Sequence, residues 1–178
     1  VGARVRGDHD LVGDRPERLE HGRDARARVA RQAAHGERHL GKDRPVAEGP
    51  SAANRVLVGG WFSLDDGGAT AGDLAALDVV CTWLDEAGRD YDVAMAPAFG
   101  DGVHWRAARP ADYGTLVLVC GPVSPRLATW QLVTRFASCR LVALDVSVVD
   151  DPGVYRRFAA VVARDGLGDP QPDLAFAA

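Results

Sequence analysis

The chain holds a single lysine, Lys42, and no G-x-G-x-x-G. The first absence excludes the G-x-x-x-x-G-K-[ST] phosphate loop and the second excludes the dinucleotide fingerprint. Cysteine is scarce too: Cys81, Cys120 and Cys139 form no C-x-x-C and are odd in number, which argues against a disulfide framework or a thiolate zinc site. No apolar run approaches the length that spans a bilayer, and neither an apolar signal core nor an acid-poor transit stretch is present. Acids are scattered rather than clustered, so no metal and no cofactor is expected. The chain reads as soluble and intracellular, with a cytoplasmic location.

Aromatic side chains are missing altogether from residues 1–54, which carry 11 Lys+Arg, 9 Asp+Glu and four of the five histidines. Such a segment buries too little apolar surface to offset its ordering entropy, so residues 1–54 are expected to be disordered or a non-native N-terminal extension. Its net charge of +2, with arginines interleaved among acids, is too small for a phosphate-tracking arm, and no nucleic-acid partner is expected. Residues 55–178 carry every Trp, Tyr, Phe and Cys, with 10 arginines against 16 acids. This is the globular part.

The stretch Arg55–Leu74, RVLVGGWFSLDDGGATAGDL, organises that part. It reads as an apolar strand over Arg55–Val58, a glycine-rich turn, and Asp73 placed to cap the following helix. The first strand-to-helix turn of an open α/β sheet lies at the carboxyl edge, where ligands bind. Leu74–Ala87 then predicts a helix with Leu74, Leu77, Val80, Cys81 and Leu84 on one face, ended by Gly88. Strands follow at Tyr91–Ala96, Thr115–Val119 (broken by Cys120-Gly121-Pro122), Leu141–Val146 and Ala159–Ala163, with a helix over Leu127–Ala137 and a short helical piece at Val154–Phe158. Pro172–Phe176 reads as the opening of a sixth strand, so the domain is expected to be truncated inside a larger protein. Strands alternating with helices give βαβ units and an α/β, Rossmann-like doubly wound parallel sheet.

Five short motifs occur in order: the loop closing on Thr70-Ala71-Gly72-Asp73, the strand end Cys120-Gly121-Pro122, Asp145-Val146-Ser147, Ala163-Arg164-Asp165, and Asp173-Leu174-Ala175-Phe176. Together they resemble the amino-terminal half of the polysaccharide pyruvyl transferase family. The resemblance implies one half of a glycosyltransferase-B-type architecture that moves a pyruvyl group from phosphoenolpyruvate to a sugar of a cell-envelope glycan or exopolysaccharide precursor. By this resemblance Gly72 and Asp73 match the loop's Gly-Asp, Thr70 stands where the family often has Asn, Gly121 matches a glycine-rich strand end, and Ser147 matches a strand-end serine. Arg164 and Asp165 match an Arg-Asp pair, and Asp173 with Phe176 an Asp-x-x-Phe. The sequence departs from the family at Pro122, at Gly166 where a serine is usual, and in the short Gly166–Gln171 connection. The family's phosphoenolpyruvate-associated Arg and His belong to its carboxyl-terminal domain, so the resemblance implies that this stretch alone does not carry the reaction.

The candidate ligand residues are therefore Gly60, Trp61, Thr70, Gly72, Asp73, Gly121, Ser147 and Arg164, with the catalytic groups unassigned. Trp61 reads either as a stacking platform for a sugar or base or as packing under the loop. Asp73 reads either as a helix cap or as a ligand contact. His104, Arg106 and Arg109 belong to a long surface loop, and Cys120 to the core. The expected partners are a sugar or nucleotide-sugar acceptor and phosphoenolpyruvate, with self-association through an exposed sheet edge. Two alternatives stay open: a nucleotide-sugar-binding domain of another glycosyltransferase, and a non-enzymatic remnant.

Overall fold

The computed structural model describes residues 55–150, 152–166 and 171–177; the expectation for residues 1–54 lies outside them. Five strands form one parallel sheet: β1 (Val56–Gly60), β2 (Tyr91–Val93), β3 (Thr115–Pro122), β4 (Arg140–Ser147) and β5 (Ala160–Asp165), in the order β2-β1-β3-β4-β5. Strand pairing runs Leu57 beside Leu116 and Leu116 beside Leu141, so these side chains share one face. Val58 and Val117 share the other. Strands apolar on both faces must be covered on both, and two helices cover them. These are α1 (Ala71–Glu86) and α2 (Thr129–Arg135).

The order reverses between β1 and β3. Right-handed crossovers moving in opposite directions from that point put α1 and α2 on opposite faces of the sheet. Packing agrees. Leu57, Leu116, Leu118, Leu132, Val133 and Phe136 belong to one buried cluster on the α2 side, while α1 buries Ala76, Leu77, Val80 and Trp83. This is an α/β, Rossmann-like doubly wound fold. Among the described residues, no helix is long and apolar enough to cross a membrane.

Several boundaries differ from the sequence reading. Gly59 and Gly60 finish β1 rather than opening the turn, because neither position has room for a side chain: a Cβ on Gly59 would stand 2.6 Å from Leu132 Cδ2, and one on Gly60 2.5 Å from the Val119 carbonyl oxygen. Cys120-Gly121-Pro122 does not break β3, which continues through Pro122. The cap of α1 is Thr70, not Asp73: Thr70 Oγ1 accepts from the Asp73 amide at 3.3 Å, and Asp73 Oδ2 accepts from the Thr70 amide at 2.7 Å, a reciprocal capping box. The second strand is shorter than predicted and continues only as a bridge between Ala94 and Val103.

The expected sixth strand is a 3-10 turn, Leu174–Ala177. Asp173 imposes it: Oδ1 accepts from the Ala175 amide at 2.8 Å, and the Asp173 carbonyl accepts from the Phe176 amide at 3.1 Å. The turn packs on α1, with Ala175 beside Gly72.

Gly60 gives a direct test of the close packing at the end of β1. Gly60→Ala should destabilise the fold by about 1–3 kcal/mol through overpacking, whereas Gly68→Ala, with nothing within 4 Å and no positive φ, should fall within about 0.5 kcal/mol of wild type. Urea midpoints measure both; equal costs would mean that β1 yields freely at Gly60.

Candidate functional site

The carboxyl edge of the sheet is shaped by an irregularity shared by two strands. Cys120 in β3 and Asp145 in β4 each adopt left-handed backbone, with φ of 63° and 56°. They are the pair passed over between Val119 beside Leu144 and Gly121 beside Val146. Next to them, the register of β4 against β5 shifts twice: Leu144 pairs with Val162, Val146 with Ala163 and Ser147 with Asp165. Asp145 is thus the extra residue on β4 and Arg164 the extra residue on β5. Bulges of this kind re-aim side chains beside functional sites, and each left-handed non-glycine residue costs about 1–2 kcal/mol.

The two re-aimed side chains meet different partners. Arg164 donates from Nη1 to Asp173 Oδ2 at 2.9 Å and from Nη2 to Ser147 Oγ at 2.9 Å. Asp165 completes the group, its Oδ2 lying 3.6 Å from Arg164 Nε and accepting from Ser147 Oγ at 3.2 Å. Partial burial opposes the charge on Arg164, but Asp145, Asp173 and Asp165 outweigh it and strengthen its hold on the proton. Tyr155 fixes the backbone beneath: its hydroxyl lies 3.0 Å from the Val123 carbonyl and 3.1 Å from that of Ser147, bracing the ends of β3 and β4.

Asp145 is 2% exposed. The Cys120 thiol donates to its Oδ2 at 3.3 Å, while its Oδ1 has no partner. Burial is the main cause of a pKa pushed up to about 6; Asp173 raises it further, and the Cys120 thiol, the Leu174 amide and Arg164 oppose the rise. Burial also raises the Cys120 pKa, helped by the charges of Asp145, Asp73 and Asp173. A thiol held so firmly protonated is no nucleophile at neutral pH, and Cys120 keeps the core role expected from the sequence.

The candidate residues divide accordingly. Thr70, Gly72 and Asp73 open α1, and Ala175 of the terminal turn lies against Gly72. Ser147 and Arg164 meet directly. Gly121, at φ 71°, lies under Trp61, where a Cβ would stand 2.1 Å from the indole Nε1. Trp61 is therefore packed on the β3 strand end, its Nε1 buried without a hydrogen-bond partner. Gly60 sits inside β1, and its amide already donates to Ser63 Oγ at 3.0 Å.

The long loop forms a separate group on the β2 side. Asp65 accepts from Arg106 Nη1 at 2.8 Å and lies 3.3 Å from His104 Nε2, while Arg109 pairs with Asp112 at 2.7 Å. A shallow open depression of about 330 Å³, lined by Met95, Pro97, Gly100, Asp101, Gly102 and His104, adjoins this group and includes none of the candidate ligand residues. Among the described residues, no group of three or more His, Cys, Asp or Glu is placed to hold a metal ion.

Fold and edge together define a Rossmann-like α/β protein with a polar cluster at the carboxyl end of its sheet. No protein-family model matches the chain, and no curated protein or solved structure is significantly similar to it.

Sequence reasoning placed Asp145 in a strand-end motif but gave it no role at this edge, and it missed Tyr155. The signal for Asp145 was its type, since aspartate tolerates left-handed backbone better than most residues.

A raised acid pKa means that folding favours the protonated form. Asp145 therefore contributes stability that is complete below the ordinary value of 3.8 and is lost as pH rises through about 6, on the order of 3 kcal/mol across that window. Asp145→Asn, which also tolerates left-handed backbone, should flatten the stability curve between about pH 4 and pH 7. Urea midpoints measured across that range check this, and an unchanged slope would show that Asp145 ionises as a solvated acid does.

Proposed function

We propose that this chain is the acceptor-side half of a polysaccharide pyruvyl transferase-like protein, with a sugar or nucleotide sugar bound at the carboxyl edge of the sheet. One observation carries the reading: Ser147, Arg164, Asp165 and Asp173, separated in sequence and singled out by the resemblance, form one hydrogen-bonded cluster. Thr70, Gly72 and Asp73 support it from the start of α1, against which the turn following Asp173 packs.

Pyruvyl ketal formation needs a proton for the enol carbon, an acceptor for the sugar hydroxyl proton, and positive charge for phosphate and carboxylate. Arg164 supplies a positive charge whose guanidinium is fixed in place by Ser147, Asp165 and Asp173, and an anionic group binds it by exchanging with one of these partners. The groups that handle phosphoenolpyruvate belong, on this reading, to a second domain. Residues 55–178 contribute acceptor binding and orientation, which lower the barrier by fixing the reacting hydroxyl.

In the full-length gene product, phosphate release from phosphoenolpyruvate should require a sugar acceptor and fall by roughly tenfold or more in Arg164→Met, the order expected for a lost charged hydrogen bond. Release indifferent to acceptor, or hydrolysis of a nucleotide sugar in its place, would overturn the proposal.

A further inference from the structure

The edge contains one feature that the Arg164 cluster does not use. Asp145 is 2% exposed, yet its Oδ1 has no hydrogen-bond partner. The residue is presented by left-handed backbone and a register shift rather than by a regular strand. Its surroundings are polar: the Cys120 thiol from β3, Arg164 from β5, and Asp173 with the Leu174 amide from the terminal turn. Buried polar groups are nearly always satisfied, and the exceptions ask for a ligand, a water or a catalytic role.

We infer that Asp145 is a ligand-anchoring residue of this edge, its Oδ1 accepting a hydrogen bond from a hydroxyl of a bound sugar. This rests on the reading of the edge as the sugar-binding half. A carboxylate oxygen offers only acceptance, so its partner must be a donor. A neutral hydroxyl fits better than a second cation, because Arg164 already supplies positive charge at this edge. The Leu174–Ala177 turn packs on the first helix, α1, and the Leu174 amide reaches Asp145, so this inference requires the turn to give way when a sugar reaches Oδ1. Asp145 then reads the sugar, while Arg164 reads whatever charged group the sugar carries.

Two probes separate these roles: UDP, and UDP-N-acetylglucosamine, which adds the sugar. Binding of each to the 178-residue chain and to its Asp145→Asn variant is followed by calorimetry. The wild type should bind UDP-N-acetylglucosamine more tightly than UDP, and Asp145→Asn, which keeps only a neutral acceptor, should narrow the ratio of the two affinities by roughly tenfold. Equal behaviour of variant and wild type would overturn the role of Asp145 and leave only a water at Oδ1, with the sugar-edge reading intact. Failure of the wild type to bind either probe would overturn that reading and the inference with it.

A measurement on the wild type alone guards against a variant that does not fold. Affinity for UDP-N-acetylglucosamine should rise as pH rises from about 5 to about 7.5, since the ionised carboxylate is the better acceptor. The groups facing Asp145 are Cys120, Arg164 and Asp173, with Asp73 of α1 acting on Cys120. A flat profile would overturn the role of Asp145.

Discussion

The shared left-handed step of Cys120 and Asp145 is the constraint on which the carboxyl edge depends. β3 and β4 take this step together, one residue each, so their mutual register is kept across it. Here Gly121 pairs again with Val146, and Pro122 with Ser147. The ladder is therefore interrupted rather than ended, and the strands extend past the kink to present Ser147. The Cys120 thiol holds the two steps together through Asp145 Oδ2, and Tyr155 braces the same strand ends from below. Local strain of this kind persists only where its surroundings over-determine it, and both sheet faces do so here. Leu118 and Val119, immediately before the step, are fully buried.

Much of the architecture was legible because apolar runs in parallel sheets are short, continuous and bounded by turn residues. TLVLV at 115–119 and the strand opening at Arg55 needed no tertiary information. The start of α1 was legible in kind but not in detail. Thr70-x-x-Asp73 is a capping-box pattern in which the hydroxyl comes first, so the acid belongs three residues inside the cap. The strand ends were harder. Cys-Gly-Pro spells a break by local preference, yet pairing with β4 carries β3 through it, tertiary context overriding the local signal. Leu-Ala-Phe-Ala spells a strand, but Asp173 hydrogen-bonds its own following backbone and turns the chain.

The candidate site shows the same division. Ser147, Arg164, Asp165 and Asp173 were legible as polar residues at strand ends, and the fold brings them to one place. Asp145 was not, because a buried acid on a strand resembles an exposed one in sequence; only register and burial separate them. Trp61 was legible as a residue at the mouth of the sheet, but its choice between stacking on a ligand and packing on the protein depended on Gly121, 60 residues away. A glycine's lack of a side chain is visible in sequence. What fills the space is not.

The five strands are unequally buried. Every residue of β1 is buried, whereas β5, at the sheet margin, has only Ala163 buried. The polar edge is therefore mounted on supports of different stiffness. Cys120 and Asp145 stand on interior strands, whose opening requires disruption of the core; Arg164 stands on a marginal strand, where local opening costs least. One side of the edge is thus anchored in the core, and the other rests on the strand where local opening is easiest.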